Sequence, residues 1–353
     1  MKLLPYVFIS GLLFALSCIT PYNPDTLKLE QKLIVDGLVT DQPGRSLVTL
    51  SLTADYTLGA LNYFATKATV YVTDDANKRV DYKETSVGIY QPVDAAWKGA
   101  SGQSYTLFVQ TSDGRQFKST PQQLKIVAPI DTVYYQYSQK PITGTLAFDK
   151  GFDLFADTRD PATPGNFYRW SWTHYEPLVF CRTNDVTTRG NTVTYGSYCC
   201  QTCWDIVRCY SCNNVASDSR INGNKISRQP IMRVPFTSTD RYYVEVEQQS
   251  LTAEGFQYWN TVAQLTQNNG GIFDATPVPL KGNITCTNRD DEPAFGFFGA
   301  SGVSIKALFV NRSTTAEKPN VLQLPIGLPP PAACANCIES AYRTQKAPQF
   351  WKF

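Results

Sequence analysis

SYTLFVQTSDGRQFKS, residues 104–119, is the stretch that decides the fold class. Tyr105, Leu107 and Val109 alternate with residues of the opposite face, the two-residue period of a half-buried strand. Asp113-Gly114 then separates this run from RQFKS, and both turn positions tolerate the positive φ of a tight hairpin. The same alternation recurs upstream at Val48, Leu50 and Leu52, and at Ala68, Val70 and Val72. Turn-forming residues punctuate the runs at 41–44, 74–77 and 99–102. With no ten-residue helical pattern among them, residues 31–128 are expected to form an Ig-like β-sandwich of about seven strands.

Ala128-Pro129 breaks the pattern, and IDTVYYQY (130–137) opens a second β-rich unit over 129–353. Strands are expected at Phe167–Thr173, Tyr242–Glu247 and Val303–Phe309, with Tyr242, Val244 and Val246 on one face and Tyr243, Glu245 and Glu247 on the other. TAEGFQYWNTVAQLTQ (252–267) is the one helical pattern, with Ser250 or Thr252 as N-cap and Phe256, Trp259 and Ala263 on one stripe. The predicted class is therefore mainly β, with one helix and a polar, cysteine-rich insertion over about 176–226.

That insertion contains YCCQTCWDIVRCYSCNN (198–214), with two Cys-x-x-Cys pairs: Cys200 with Cys203, and Cys209 with Cys212. Zinc and disulfide readings compete for such a cluster. The start of the chain decides between them. In MKLLPYVFISGLLFALSC, Lys2 precedes an apolar stretch of signal-peptide length, Leu3 to Leu16, and small Ser17 precedes Cys18. The stretch is too short for a membrane-spanning helix. A cysteine directly after a small residue resembles the lipobox of bacterial lipoproteins, in which the thiol is diacylated and the peptide is cut before it. Residues 1–17 are read as the signal and 18–30 as the lipidated cysteine with a polar tether. Acyl chains contribute about 0.8 kcal/mol per buried methylene, so Cys18 would hold the chain on a bilayer.

An exported chain meets an oxidising compartment, where thiols pair. Zinc is further disfavoured because only five residues separate Cys203 from Cys209, and because His174 is the single histidine. The disulfide candidates are Cys181, Cys199, Cys200, Cys203, Cys209, Cys212, Cys286, Cys334 and Cys337. Ten cysteines less Cys18 leave an odd number, so one is expected to be free or to pair with another chain. Spacing leaves the connectivity open.

At 42% hydrophobic, 18% charged and formal net charge +2, the composition is that of an ordinary globular chain with no basic cluster for nucleic acid. Catalytic patterns are sparse. His174, beside Trp170 and Trp172, reads as a structural hydrogen bonder rather than a base. Asp149, Asp153, Asp157 and Asp160, and Asp290, Asp291 and Glu292, read as solvated turn residues; a structural calcium is the alternative, though neither spacing matches a calcium loop. No metal site and no cofactor is expected otherwise. Trp97, Trp170, Trp172 and Trp259 read as core. Trp204, on the cysteine-rich insertion, is the candidate contact residue, and Phe350, Trp351 and Phe353 could dock back onto the fold. Thr26 and Thr132, in Asp-Thr-apolar triplets, resemble O-glycosylation sites of Bacteroidota.

Several stretches together resemble the Bacteroidota lipoproteins that carry domain of unknown function 4249. They are LIVDGLVTDQPG (33–44), GIYQP with GQSYTLFVQTSDGR (88–115), APIDTV (128–133), DPATPGNFYRW (160–170), VEQQSLTAEGFQYW (246–259), GGIFDATPVPLKGNI (270–284), FGFFGASGVS (295–304) and the tail CANCIESAYRTQKAPQFW (334–351). The resemblance implies an outer-membrane lipoprotein that accompanies a TonB-dependent receptor; it carries over no catalytic residue. Ile-Thr-Pro-Tyr follows Cys18, without the acidic residues that direct surface export in such bacteria, so the facing stays open. The expected function is that of a lipid-anchored binding protein, not an enzyme, that partners such a transporter; a stand-alone glycan- or peptide-binding lipoprotein is the alternative.

Overall fold

The computed structural model describes residues 31–54, 63–179, 184–188, 191–195, 202–209, 212–267, 280–320 and 337–351. The signal, Cys18, the tether and Thr26 lie outside them, as do Cys181, Cys199, Cys200 and Cys334. In chain order the first half gives β1 (Leu33–Thr40), β2 (Leu47–Leu52), β3 (Tyr63–Phe64), β4 (Thr69–Thr73), β5 (Arg79–Ser86), β6 (Ile89–Pro92), β7 (Ser104–Gln110), β8 (Gln116–Ser119) and β9 (Gln122–Gln123). Then follow β10 (Ile130–Pro141), β11 (Phe148–Arg159), β12 (Phe167–Val179), β13 (Asn184–Thr188), β14 (Asn191–Tyr195), β15 (Thr202–Arg208), β16 (Asn214–Ser217), β17 (Lys225–Pro235) and β18 (Tyr242–Leu251). Helix α1 (Ala253–Gln267) precedes β19 (Ile284–Cys286), β20 (Phe295–Ser301), β21 (Val303–Val310) and β22 (Arg343–Thr344).

The alternating runs form strands, and their inward residues make one core. Val48, Leu50, Val70, Val72, Tyr105, Leu107 and Val109 are all buried there, with Phe117, Leu124 and Phe298. The Asp113-Gly114 hairpin forms as its turn chemistry dictates: Gly114 has φ +86°, and Asp113 accepts from the Arg115 Nε at 2.9 Å and from the Thr111 hydroxyl at 2.5 Å. These bonds hold the Asp113 carboxyl well below the usual carboxylate range.

The architecture differs from a self-contained sandwich of residues 31–128. Hydrogen bonding runs without a break through β19-β8-β7-β4-β5-β6-β2-β1-β20, with β3 on β2 and β9 on β7. Two of these strands come from far downstream: β19 pairs with β8, and β20 runs parallel to β1 from Ile34↔Phe295 to Thr40↔Ser301. The ends of the sheet then meet, which curls it into a near-barrel. Asn283 links them through its side chain: Oδ1 accepts from the Phe298 N–H and Nδ2 donates to the Phe298 carbonyl, both at 2.9 Å. The amide thus stands in for a strand partner. Glycine is required at this seam. A Cβ on Gly296, where φ is +91°, would lie 1.9 Å from the Val35 carbonyl oxygen, and one on Gly282 would lie 1.9 Å from the Gly296 oxygen. Local alternation cannot report a strand supplied from residue 295, which is why the barrel is invisible in 31–128 alone.

The second unit is a two-layer sandwich. Sheet β10-β11-β17 packs against the six-stranded sheet β21-β18-β12-β15-β22, in which β16 also pairs with β12. Phe152, Leu154, Val234, Trp170, Val244 and Val246 fill the space between them. Trp170 is core, as expected. The expected faces of β18 are found: Tyr242, Val244 and Val246 enter this core, and the opposite face carries Tyr243, Glu245 and Glu247 towards other partners. Among the described residues of the Cys-rich insertion, β15 and β16 extend the main sheet by pairing with the two halves of β12.

Helix α1 starts where its sequence places it. Thr252 caps it by accepting from the Gly255 N–H at 3.1 Å. Glu254 in the first turn accepts from Gln122 at 2.6 Å and Thr120 at 2.9 Å, tying the helix to the barrel. Phe256 stacks on Phe167 and Tyr258 on Phe297, so the helix bridges the sandwich and β20.

Candidate functional site

The groups named from the sequence as possible chemistry are occupied structurally. His174 is buried, stacks on Tyr242 and uses its ring nitrogens on the Tyr243 carbonyl (2.6 Å) and Glu176 (2.7 Å). Asp149 and Asp153 both bind Arg233, Asp157 binds Lys225, and Asp160 accepts from Tyr168 and the Gly223 N–H. Glu292 sits between Lys32 and Arg115, while Asp290 and Asp291 fall in the turn before β20. Among the described residues, no group of three or more histidines, cysteines and acids is placed to hold a metal ion.

The cysteines form two disulfides among the described residues: Cys203–Cys337 and Cys209–Cys212; Cys286 is free. The first closes a loop of 134 residues and on chain entropy contributes about 5 kcal/mol. It also brings the tail back to the fold, where β22 pairs with Trp204 and Asp205 of β15. Trp204 is consequently not a contact residue. Only 3% of it is exposed, and its ring meets Trp351 edge-on at 6.0 Å. Trp351, in turn, packs on Tyr243 and Phe309, so it docks back as one sequence reading held. Thr132 is exposed, beside an irregularity in the β10–β11 register.

The site that emerges was not singled out by any motif. It lies outside the barrel wall, where β1 and β20 face β12, β18 and α1. Asp36, Arg169, Gln249, Trp259, Phe297 and Ser301 line a cavity of about 140 Å³ there, together with Leu38, Leu47 and Leu251. Its position follows from strand alternation. Val35 and Val39 point into the barrel core, so Asp36 and Leu38 point out; on β20, Phe298 and Ala300 point in, so Phe297 and Ser301 point out.

Four polar groups of this cavity are unsatisfied. Arg169 Nε, Gln249 Oε1 and Ser301 Oγ are packed into the cavity's wall, out of reach of solvent, and have no hydrogen-bond partner. Each such atom costs about 1–3 kcal/mol. Asp36 opens onto the cavity with its side chain in no hydrogen bond or ion pair among the described residues. Its side chain reaches solvent, yet the protein packed around it raises its carboxyl above the usual range, and the Arg169 charge only partly offsets this. Burial likewise lowers the Arg169 guanidinium, against the opposing charges of Asp36 and Glu247. Tyr258 beside them is pushed up to about 12, by burial first and by the Asp36 charge second. Asp36 and Arg169 therefore feel each other across the cavity without closing an ion pair.

What holds these groups apart is specific. The Arg169 guanidinium lies flat over Trp259, 3.6 Å from the ring centroid, and its Nη2 donates a long 3.5 Å hydrogen bond to the Cys212 carbonyl. The Cys209–Cys212 bridge fixes that carbonyl, which gives the second staple a local task. Gln249 donates to Glu247 Oε1 at 2.6 Å, and that bond turns its carbonyl oxygen away to remain unpaired. A wider groove of about 830 Å³ along 123–131 is also lined by charged groups, two of them engaged: Lys125 donates to the Gly165 carbonyl, and Asp160 is bonded as above.

Asp36, Arg169, Gln249 with Trp259, and Phe297 with Ser301 lie on four of the stretches quoted for the family resemblance, so folding brings those stretches to one place. The available signal was an ionisable residue interrupting an apolar strand, as in LIVDGLV and FYRWSW. No curated protein matches the chain. A family model described as Domain of unknown function (DUF4249) matches residues 19–307, a span that includes the barrel, the helix and every residue of the cavity. The chain belongs to the DUF4249 family.

Proposed function

We propose that this protein is a binding lipoprotein: it holds a small polar ligand in the cavity between barrel and sandwich and works by contact, without a cofactor or a catalytic step. One observation carries this reading, an unpaired carboxylate, Asp36, and a guanidinium, Arg169, that line one small cavity without pairing with each other. Opposite charges that line one concavity and stay apart mark a place where something else supplies the partners. The test is native mass spectrometry of the full detergent-solubilised chain, followed by thermal shift with a small-molecule library. A retained mass, or stabilisation lost in Asp36→Asn, supports the reading; a chain that gains no stability from any small polar compound rejects it.

The setting proposed for this binding is the outer membrane, with acylated Cys18 as anchor and a TonB-dependent receptor as the partner that takes the ligand onward. The lipobox-like start and the resemblance to receptor-associated lipoproteins support it. Mild-detergent pull-down of the tagged chain from native outer membranes tests it by recovery of such a receptor in near-stoichiometric amount. Recovery of the chain alone favours a stand-alone binding lipoprotein.

A further inference from the structure

Strands β10 and β11 run on past the rest of their sheet. They pair from Ile130↔Thr158 out to Pro141↔Phe148, whereas the ladder between β11 and β17 stops at Gly151↔Pro235. The hairpin tip that joins them, residues 141–148, therefore projects, and every residue of it is exposed. Hairpin tips are ordinarily polar. This one carries Ile142, Leu146 and Phe148 into water, at 43%, 100% and 46% exposure. Backbone bonds shape the turn: the Ile142 N–H donates to the Ala147 carbonyl and the Thr145 N–H to the Ile142 carbonyl, both at 3.1 Å. Gly144 takes the positive φ, +78°, that the turn requires. The turn does not depend on its apolar side chains, and an exposed apolar cluster that the fold does not use marks a contact surface.

We propose that this tip enters a lipid bilayer, with Ile142, Leu146 and Phe148 among the acyl chains and the lysines at its base among the headgroups. Three observations favour lipid over protein. The projecting tip offers three large apolar side chains, against about 20–30 residues a side in a stable protein interface. A bilayer sets no such minimum, because it closes around whatever is inserted. The base of the hairpin carries Lys140 and Lys150, and the Lys318 carbonyl accepts from the Lys150 ammonium at 3.2 Å, which brings a third, exposed lysine to the same end. Asp153 and Glu317 hold the first two at the base, at 3.1 and 2.9 Å. Long lysine stems let these ammonium groups meet anionic phosphates while the tip sits deeper. Finally, thirteen residues lead from Cys18, the proposed anchor, to Gln31, a reach of at most about 45 Å. A tethered chain meets its own bilayer at high effective concentration, so a shallow insertion suffices. The proposal is independent of the cavity and its ligand.

Fluorescence of the full acylated chain, reconstituted in vesicles of phosphatidylethanolamine and phosphatidylglycerol, tests the proposal. Leu146→Trp adds a ring at the tip, and Val93→Trp adds one at a barrel position that is 54% exposed; wild-type emission is subtracted from both. In vesicles whose acyl chains carry bromine, the expected result is loss of most of the emission added at 146 and of none added at 93. The loss should disappear when Ile142→Asp and Phe148→Asp accompany Leu146→Trp. Because all these positions are exposed, an unchanged circular-dichroism melt separates a lost contact from a lost fold. Replacing phosphatidylglycerol by phosphatidylcholine should lessen the quenching; quenching indifferent to that exchange overturns the part given to the lysines. Emission at 146 that bromine leaves untouched overturns the proposal, as does equal quenching at 93. A photo-crosslink from position 146 to a protein of native membranes, in the absence of quenching, overturns it too and assigns the tip to a protein partner.

Discussion

Strand β18 has two faces, and adjacent glutamines on it meet opposite fates. Gln248 points into the sandwich and is fully buried, yet every polar atom is used: Oε1 accepts from Trp170 Nε1 at 2.8 Å, and Nε2 donates to the Ala128 carbonyl at 2.8 Å and to Thr158 at 3.3 Å. Gln249 points towards the barrel and leaves its oxygen without a partner. The barrel-facing side is not simply badly packed. Two residues away, Arg45 binds Glu247 at 2.8 Å and Glu245 at 3.2 Å, and Tyr243 completes Glu245 at 2.8 Å. The same interface therefore pairs charges well at one end and leaves them open at the other. The contrast separates a joint from a site.

The contrast breaks most visibly at the satisfied face. Gln248→Leu would strand the Trp170 N–H and the Ala128 carbonyl in the core, and is expected to cost about 4 kcal/mol, read as a lower urea midpoint. The equivalent Gln249→Leu strands only its bond to Glu247, so it should cost less than half as much. Equal costs for the two leucine variants would mean that Gln249 has a partner in solution. Arg45→Ala comes next, at about 3 kcal/mol, because Glu245 is left buried and uncompensated. Its loss should also loosen the barrel against the sandwich, seen as faster amide exchange on β20 and β21 than on β7 and β8. Uniform exchange would show that the clamp stabilises without joining. Thr252→Ala removes a cap worth about 1 kcal/mol and frees the helix that carries Trp259, so affinity for ligand should fall along with stability.

Legibility follows the same division. Alternation placed the strands of the barrel, because burial on one face leaves a period-two trace within a few residues, as at Val70 and Val72. The helix was legible to its cap, since Thr252 and the apolar stripe are local. Closure of the barrel by β19 and β20 was not, because a parallel pairing across some 260 positions leaves no local mark beyond glycines such as Gly296. Trp204 was misjudged for a related reason. A ring on a cysteine-rich loop looks exposed until the Cys203–Cys337 bridge returns the tail over it. The cavity is the extreme case: Asp36, Arg169, Gln249 and Ser301 come from four strands, and what makes them a site is a missing interaction, which a sequence does not record.

The smallest expected effect has the opposite sign and sharpens the comparison furthest. Burial raises the Asp36 carboxyl, so the folded chain holds this proton more tightly than the unfolded chain, whose aspartates titrate near pH ~4. Between that value and the raised one the native state binds more protons. The stability linked to Asp36 is therefore fully present below pH ~4 and is lost as pH rises through the raised value. Asp36→Asn carries no such loss and should exceed the wild type at pH 7, by less than about 1 kcal/mol because the carboxylate reaches solvent. The advantage should vanish in acid, as urea melts of both chains across pH 3–8 would show. An advantage independent of pH would mean that the gain comes from packing, and a loss at pH 7 would mean that the carboxylate already has a cation. Saturating ligand should reverse the order of stability at pH 7, since only the wild type then gains the binding free energy. A joint residue such as Gln248 shows no such reversal, and that is the property that distinguishes a site kept open from a core filled.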